Sequence, residues 1–290
     1  MKIIDAHIHF NRNDYFDQAA QEAGHLNDGS HLGEVFRQNH IVLAVAMGAG
    51  RGGDEPRAVV EPLVPDSGDG GGLPDFIAYC CGLESDALTA ENLDASLEAF
   101  ARRIDDPRCV GLKLYPGYNQ VEPDDALHRP FYELAERSGL PVVIHTGDTA
   151  MASAKLKYAH PLRVDDLAVR FPDVRFVMAH YGNPWIVDAT AVAAKNANVF
   201  IDLSGLAAGR FAPEWFNAEY RAYLDYLKMW ITYLGDYGKF LYGSDWPLVN
   251  IEAYLEVIRS LIPERAHEAV FSGNALEVFP KLRGLLPEHF

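Results

Sequence analysis

Residues 2–10 read Lys2-Ile3-Ile4-Asp5-Ala6-His7-Ile8-His9-Phe10. The isoleucines and the phenylalanine favour extended chain, and the run stops at polar Asn11, so a strand is predicted over 2–8. Side chains two apart on a strand share a face, which sets His7 beside His9 on one rigid element. Two imidazoles so placed can serve one cation with little freedom left to lose. By itself His-x-His is a weak motif, and it gains weight only from the rest of the chain.

Three later runs end in the same way. Pro141-Val142-Val143-Ile144 leads into His145, Val174-Arg175-Phe176-Val177-Met178-Ala179 into His180, and Lys239-Phe240-Leu241-Tyr242-Gly243-Ser244 into Asp245. Each run is short, rich in β-branched or aromatic residues and followed by Gly or Pro, the pattern of buried strands. Strands are predicted at 2–8, 40–46, 76–82, 108–114, 141–146, 174–180, 198–203 and 239–244. Helices are predicted at 30–38, 91–105, 123–138, 163–171, 184–196, 213–234 and 250–260, with a last one near 274–282 covering the barrel bottom or side. Alternating β and α units imply a parallel sheet, and eight of them imply an α/β fold, a (β/α)8 TIM barrel forming a single domain over 1–290. Sites in such barrels lie at the C-terminal strand ends, where all these polar residues fall.

Strict alternation then assigns faces. Asp5, His7 and His9 would point inward, as would Gly111, Lys113 and Tyr115, the set Phe176, Met178 and His180, and the set Leu241, Gly243 and Asp245. Closing the barrel sets the first strand beside the eighth and carries Asp245 to the histidine pair. Imidazoles and a carboxylate on one rigid face suit Zn²⁺, with other divalent transition metals as alternatives. Such a cation lowers the pKa of a bound water to about 7 and polarises a carbonyl. The polar stretch 11–29 and the Gly-rich stretch from Gly48 to Gly72 follow strand C-termini and are candidate substrate walls or lids. The Gly68–Gly72 tract lacks the Lys-Ser/Thr of a phosphate loop.

A charge of −16 argues against nucleic acid and anionic membrane surfaces as partners, since both call for Lys/Arg patches. Three cysteines without regular spacing suggest reduced thiols and a cytoplasmic protein; adjacent Cys80 and Cys81 face opposite sides of a strand and make poor joint ligands. No leader is expected ahead of His7, and no apolar run approaches the ~20 residues that span a bilayer. The aromatic segment 211–237 is read as core or as a homo-oligomer contact.

In this order the motifs resemble the amidohydrolase superfamily, in its amidohydrolase-2 (amidohydrolase-related) branch, across nearly the whole chain. Asp5-Ala6-His7-Ile8-His9, Gly111–Pro116, Val143-Ile144-His145, Phe171–Gly182, Leu241–Pro247 and Gly273-Asn274-Ala275-Leu276 carry the resemblance. It implies one divalent metal ion rather than two, zinc first, held by His7, His9, His145 and Asp245. His180 would be a further ligand or a proton partner, and Asp245 the general base and acid. In two-metal relatives a lysine at the position of Lys113 is carboxylated and bridges the ions; otherwise Lys113 or Tyr115 would contact substrate, with Arg51 and His160 as weaker candidates. The branch contains lactonases and other hydrolases as well as non-oxidative decarboxylases, and Gly243–Pro247 is closer to the lactonase-like form. The expected activity is hydrolysis of a small-molecule lactone, ester or amide; the alternative is decarboxylation of an aromatic or unsaturated carboxylic acid on the same site. A barrel kept only as a binding protein would be expected to lack one of the five motif residues, and all five are present.

Overall fold

A computed structural model of the chain describes residues 1–11, 13–48, 59–60 and 73–287. Arg51 and the Gly68–Gly72 tract lie outside the described residues. The strands are β1 (Ile3–Ile8), β2 (Ile41–Met47), β3 (Val59–Val60), β4 (Ile77–Leu83), β5 (Cys109–Leu114), β6 (Val142–Ile144), β7 (Phe176–Met178), β8 (Val199–Asp202) and β9 (Phe240–Leu241). All but β3 run parallel, in the order β1-β2-β4-β5-β6-β7-β8-β9, and β3 adds antiparallel to the end of β4. The Ala6 N–H donates to the Tyr242 carbonyl at 2.8 Å and the Asp245 N–H to that of His7 at 2.9 Å, joining the first strand to the last. The eight predicted strands thus form a (β/α)8 barrel.

Ten α-helices lie among the described residues: α1 (Asp14–Ala23), α2 (Gly29–Gln38), α3 (Leu93–Ile104), α4 (Arg129–Arg137), α5 (Leu162–Arg170), α6 (Ile186–Lys195), α7 (Pro213–Glu219), α8 (Arg221–Leu234), α9 (Ile251–Leu261) and α10 (Asn274–Val278). None is long and apolar enough to cross a membrane. The stretch 11–29, read from sequence as polar connection, contains α1. Its start is capped by Asn13, whose side chain accepts from the Phe16 N–H, and its end turns through Gly24 at φ 81°. The aromatic stretch breaks at Tyr220 into α7 and α8; Phe216, Leu224, Leu227 and Ile231 enter the core, while Trp215, Met229 and Tyr233 stay exposed.

The core has two apolar layers. Ile8, Ala46, Cys81, Leu112, Ile144, Met178 and Ile201 pack outward under the helices. Ala6, Val45, Cys80, Val143, Val177 and Leu241 fill the barrel, whose bottom is closed by Leu276, Val278, Phe279 and Leu282. Cys80 and Cys81 do face opposite sides, and the three cysteines are free and buried.

Strict alternation fails in three places. β1 carries one extra residue against β2 between Asp5 and Ile8, so Ile4 and Ala6 belong to the inner layer with His7. Asp5 pairs with Ala44 of the outer layer instead of standing in line with His7 and His9. A similar shift between β4 and β5 turns Val110 inward along with Tyr115. Phe176 and Met178 face outward, so His180 does not reach the top on their face.

Candidate metal centre

His7 ends its run inside β1, while His145, His180 and Asp245 each lie one to four residues beyond a strand. His180 turns back over the barrel through a left-handed backbone, φ 62°, followed by Tyr181 at φ 53°. Asp245 does the same at φ 62°. Non-glycine residues in this region cost about 1–3 kcal/mol each and persist where the surroundings enforce them. Here Asp202 accepts from the His180 N–H at 3.1 Å, and the His7 carbonyl holds the Asp245 N–H.

Potential ligand atoms of His7, His9 and Asp245 lie within 4.8 Å of one another, and so do those of His7, His180 and Asp202. His9 Nε2 stands 3.2 Å and His7 Nε2 3.7 Å from Asp245 Oδ1, and His180 Nδ1 stands 3.9 Å from Asp245 Oδ2. The His145 ring lies 5.0 Å from that of His180 and 4.9 Å from that of Tyr118. Its Nε2 sits 3.0 Å from the Asp148 carbonyl; donating there leaves Nδ1 as the acceptor nitrogen of a neutral ring. His7, His9, His180 and Asp245 are thus brought together, whereas His145 stands beside His180 but belongs to neither ligand group.

The protonation states suit a cation. Burial, and after it the Lys113 ammonium, lowers His7 to about 3. Burial also pushes His145 and His180 down, so all three are neutral imidazoles. Burial would raise Asp245, but His180, His9 and His7 hold its carboxyl below the usual range; Asp202 is held low against burial by His7 first. Lys113 is fully buried and lowered to about 8 by burial, against the pull of Asp202 and Asp245.

His7 Nε2 and Asp245 Oδ1 are buried without a hydrogen-bond partner. Such atoms are costly unless something else pairs them, and two nitrogens with a carboxylate oxygen form a donor set that Zn²⁺ accepts. The residues present fit a metal ion. His7 Nδ1 is already spent on Asp202 Oδ2 at 2.8 Å, so His7 offers only Nε2, and the two overlapping triads cannot each use it for a separate ion.

Sequence reasoning missed Asp202, Ser204 and Gly205. Asp202 closes Val199-Phe200-Ile201, and the strand-end rule that singled out Asp245 would have found it. Gly205 carried no such signal: a Cβ there would meet His180 Nδ1 at 2.7 Å and Asp245 Oδ2 at 3.1 Å, at φ 65°. Above the cluster lie two cavities of about 490 and 460 Å³ that share Tyr15, Tyr118, His145, His180 and Asp245. One is walled by Gln18, Glu22, Asp148 and Thr149, the other by Phe16, Tyr115, Asn119 and Met151. Helix α1 supplies a wall to each. Lys113 lines neither and lies 5.0 Å from the Tyr115 ring centre. His160 lies tilted against Trp185, 3.9 Å from the Asp188 carboxylate, and also lines neither cavity.

Solved structures share this architecture. An uncharacterised TIM-barrel protein from Bordetella bronchiseptica is 19% identical with a TM-score of 0.69, over 97% of this chain and 99% of that one. A 5-carboxyvanillate decarboxylase from Sphingomonas paucimobilis is 16% identical (TM-score 0.61; 96% and 99% covered). A probable 2-pyrone-4,6-dicarboxylic acid hydrolase from Acinetobacter baumannii, with citric acid bound, is also 16% identical (TM-score 0.58; 97% and 100% covered). No curated protein matches the chain. These likenesses establish the fold, whereas the amidohydrolase family model matches the sequence itself over residues 87–281, more than half of its length and inclusive of His145, His180 and Asp245. By that match the chain belongs to the amidohydrolase family.

Proposed function

We propose that the protein is a metal-dependent hydrolase that cleaves a small-molecule lactone, ester or amide with one divalent cation, zinc before others. The observation that carries this reading is the convergence of His7 Nε2 and Asp245 Oδ1, neither with a hydrogen-bond partner, beside His9 and beneath the two cavities. His7, His9, His145 and Asp245 would hold the cation, with His7 and His145 already kept neutral by burial. When bound, it would supply Lewis acidity toward a carbonyl and toward water. Asp245 would take a proton from the attacking water and return it to the leaving group, with His180 as the neighbouring proton partner. Buried Lys113 would balance the charges of Asp202 and Asp245 from below, while Tyr115 and Tyr118 would contact substrate.

Two cavities meeting at His145, His180 and Asp245 favour hydrolysis over decarboxylation. A cleaved ester or lactone must seat a fragment on each side of the scissile bond, whereas carbon dioxide needs almost no room. The Acinetobacter and Sphingomonas relatives represent the two chemistries. Zinc-loaded protein screened against lactones, esters, amides and aromatic carboxylates separates them. Acid release from acyl substrates, lost on chelation, is the expected result. Carbon dioxide release from the carboxylates with no acyl cleavage would replace the hydrolase with a decarboxylase.

A further inference from the structure

The hydrogen atoms around Asp202 can be arranged in only one way at Ser204. Asp202 Oδ1 accepts two backbone N–H groups, from His180 at 3.1 Å and Ser204 at 3.0 Å, so it carries no proton of its own. Ser204 Oγ is in close contact with the same oxygen. Two lone pairs cannot face each other at that separation, so the single hydroxyl hydrogen of Ser204 points at Asp202. Ser204 Oγ also lies 2.9 Å from His180 Nδ1. Its hydrogen being spent, Oγ can only accept there, and His180 must bring the proton on Nδ1. The lone pair of the ring is then on Nε2. Ser204 is fully buried, and the Gly205 backbone presses on the same imidazole, at a distance where a Cβ would collide with Nδ1. The ring is held in its plane as well as in its tautomer.

We propose that Ser204 is a positioning residue that fixes His180 as the Nδ1–H tautomer and presents Nε2 as the acceptor nitrogen toward the cavity. Asp202 treats His7 in the same manner through Oδ2, so one carboxylate sets imidazoles from β1 and from the turn after β7. The effect on turnover rests on the hydrolase reading; the tautomer does not.

The test uses ¹⁵N long-range correlation spectra of metal-free protein, with the His180 signals assigned by difference against His180→Gln. The wild type is expected to show protonated Nδ1. In Ser204→Ala that signature is lost or mixed, and Ser204→Thr, which keeps the hydroxyl, restores it. With a substrate from the panel, Ser204→Ala is expected to lower kcat about 10–100-fold with KM little changed, as for other groups that orient a catalytic imidazole. An unchanged His180 tautomer in a folded Ser204→Ala protein would overturn the proposal, and so would an altered tautomer with undiminished kcat. Should no compound be turned over by the wild type, the hydrolase reading fails while the spectra still decide the role of Ser204.

Discussion

The two ends of the barrel are built from the same strands and solve opposite problems. At the bottom, Val278, Phe279 and Leu282 are completely buried. Polar atoms there are spent on backbone carbonyls: Lys281 Nζ donates to Ile104, Asp106 and Cys109, and Asn274 Nδ2 to Tyr237 and Phe240. At the top, His7 Nε2, Lys113 Nζ and Asp245 Oδ1 are buried without a hydrogen-bond partner. Three of the four described non-glycine residues with positive φ, His180, Tyr181 and Asp245, are also there. Backbone strain therefore collects where the cation is proposed, while the plugged end is apolar and its polar atoms are paired. Such a division would let one barrel carry a costly site.

Substitutions can break that comparison. Asp245→Asn is expected to reduce kcat by about 10²- to 10⁴-fold while the metal-free protein melts within a few degrees of wild type. A large loss of thermal stability would mean that the top face also holds the fold together. Phe279→Ala at the opposite end is expected to cost about 3–5 kcal/mol, read by chemical denaturation, with metal stoichiometry and KM retained. Loss of metal from a folded Phe279→Ala protein would couple the two ends.

The smallest effect is a dependence on pH. Burial lowers His7 to about 3 and depresses His145 and His180, whereas in the unfolded chain each takes up a proton near 6.5. Stability from these groups is complete above that value and is lost as pH falls toward the folded pKa. Asp5, raised to about 7 by burial, acts in the opposite sense: its contribution is present at low pH and lost as pH rises through 7. With three imidazoles against one carboxyl, metal-free protein should unfold at lower urea concentration at pH 5 than at pH 7.5. A flat or inverted profile would show that the imidazoles are not held neutral.

The strand-end polar residues were legible because a buried strand declares itself by short apolar runs, and a polar residue that interrupts one has few structural reasons to be there. His7, His9, His145, His180 and Asp245 were all visible on that basis, and so was the eightfold alternation. Asp202 obeyed the same rule and could have been found; α1 was harder, since its apolar face is only a few residues wide. Arg51 lies outside the described residues, and His160 was drawn in by residue type alone.

Which way each side chain points was another matter. Period-two alternation holds only along an unbroken ladder, and the extra residue between Asp5 and Ile8 removes Asp5 from the line of His7. His180 and Asp245 reach the cluster through left-handed turns held by Asp202 and by the His7 carbonyl, contacts made across the barrel between distant parts of the chain. Local sequence thus determined the strands, their number and the candidate ligand residues, because hydrophobic periodicity and side-chain chemistry are properties of neighbouring residues. Only the tertiary structure decided which groups face each imidazole, the approach of His7, His9 and Asp245 to one another and Gly205 as a wall beside His180, because those depend on distances closed by the barrel as a whole.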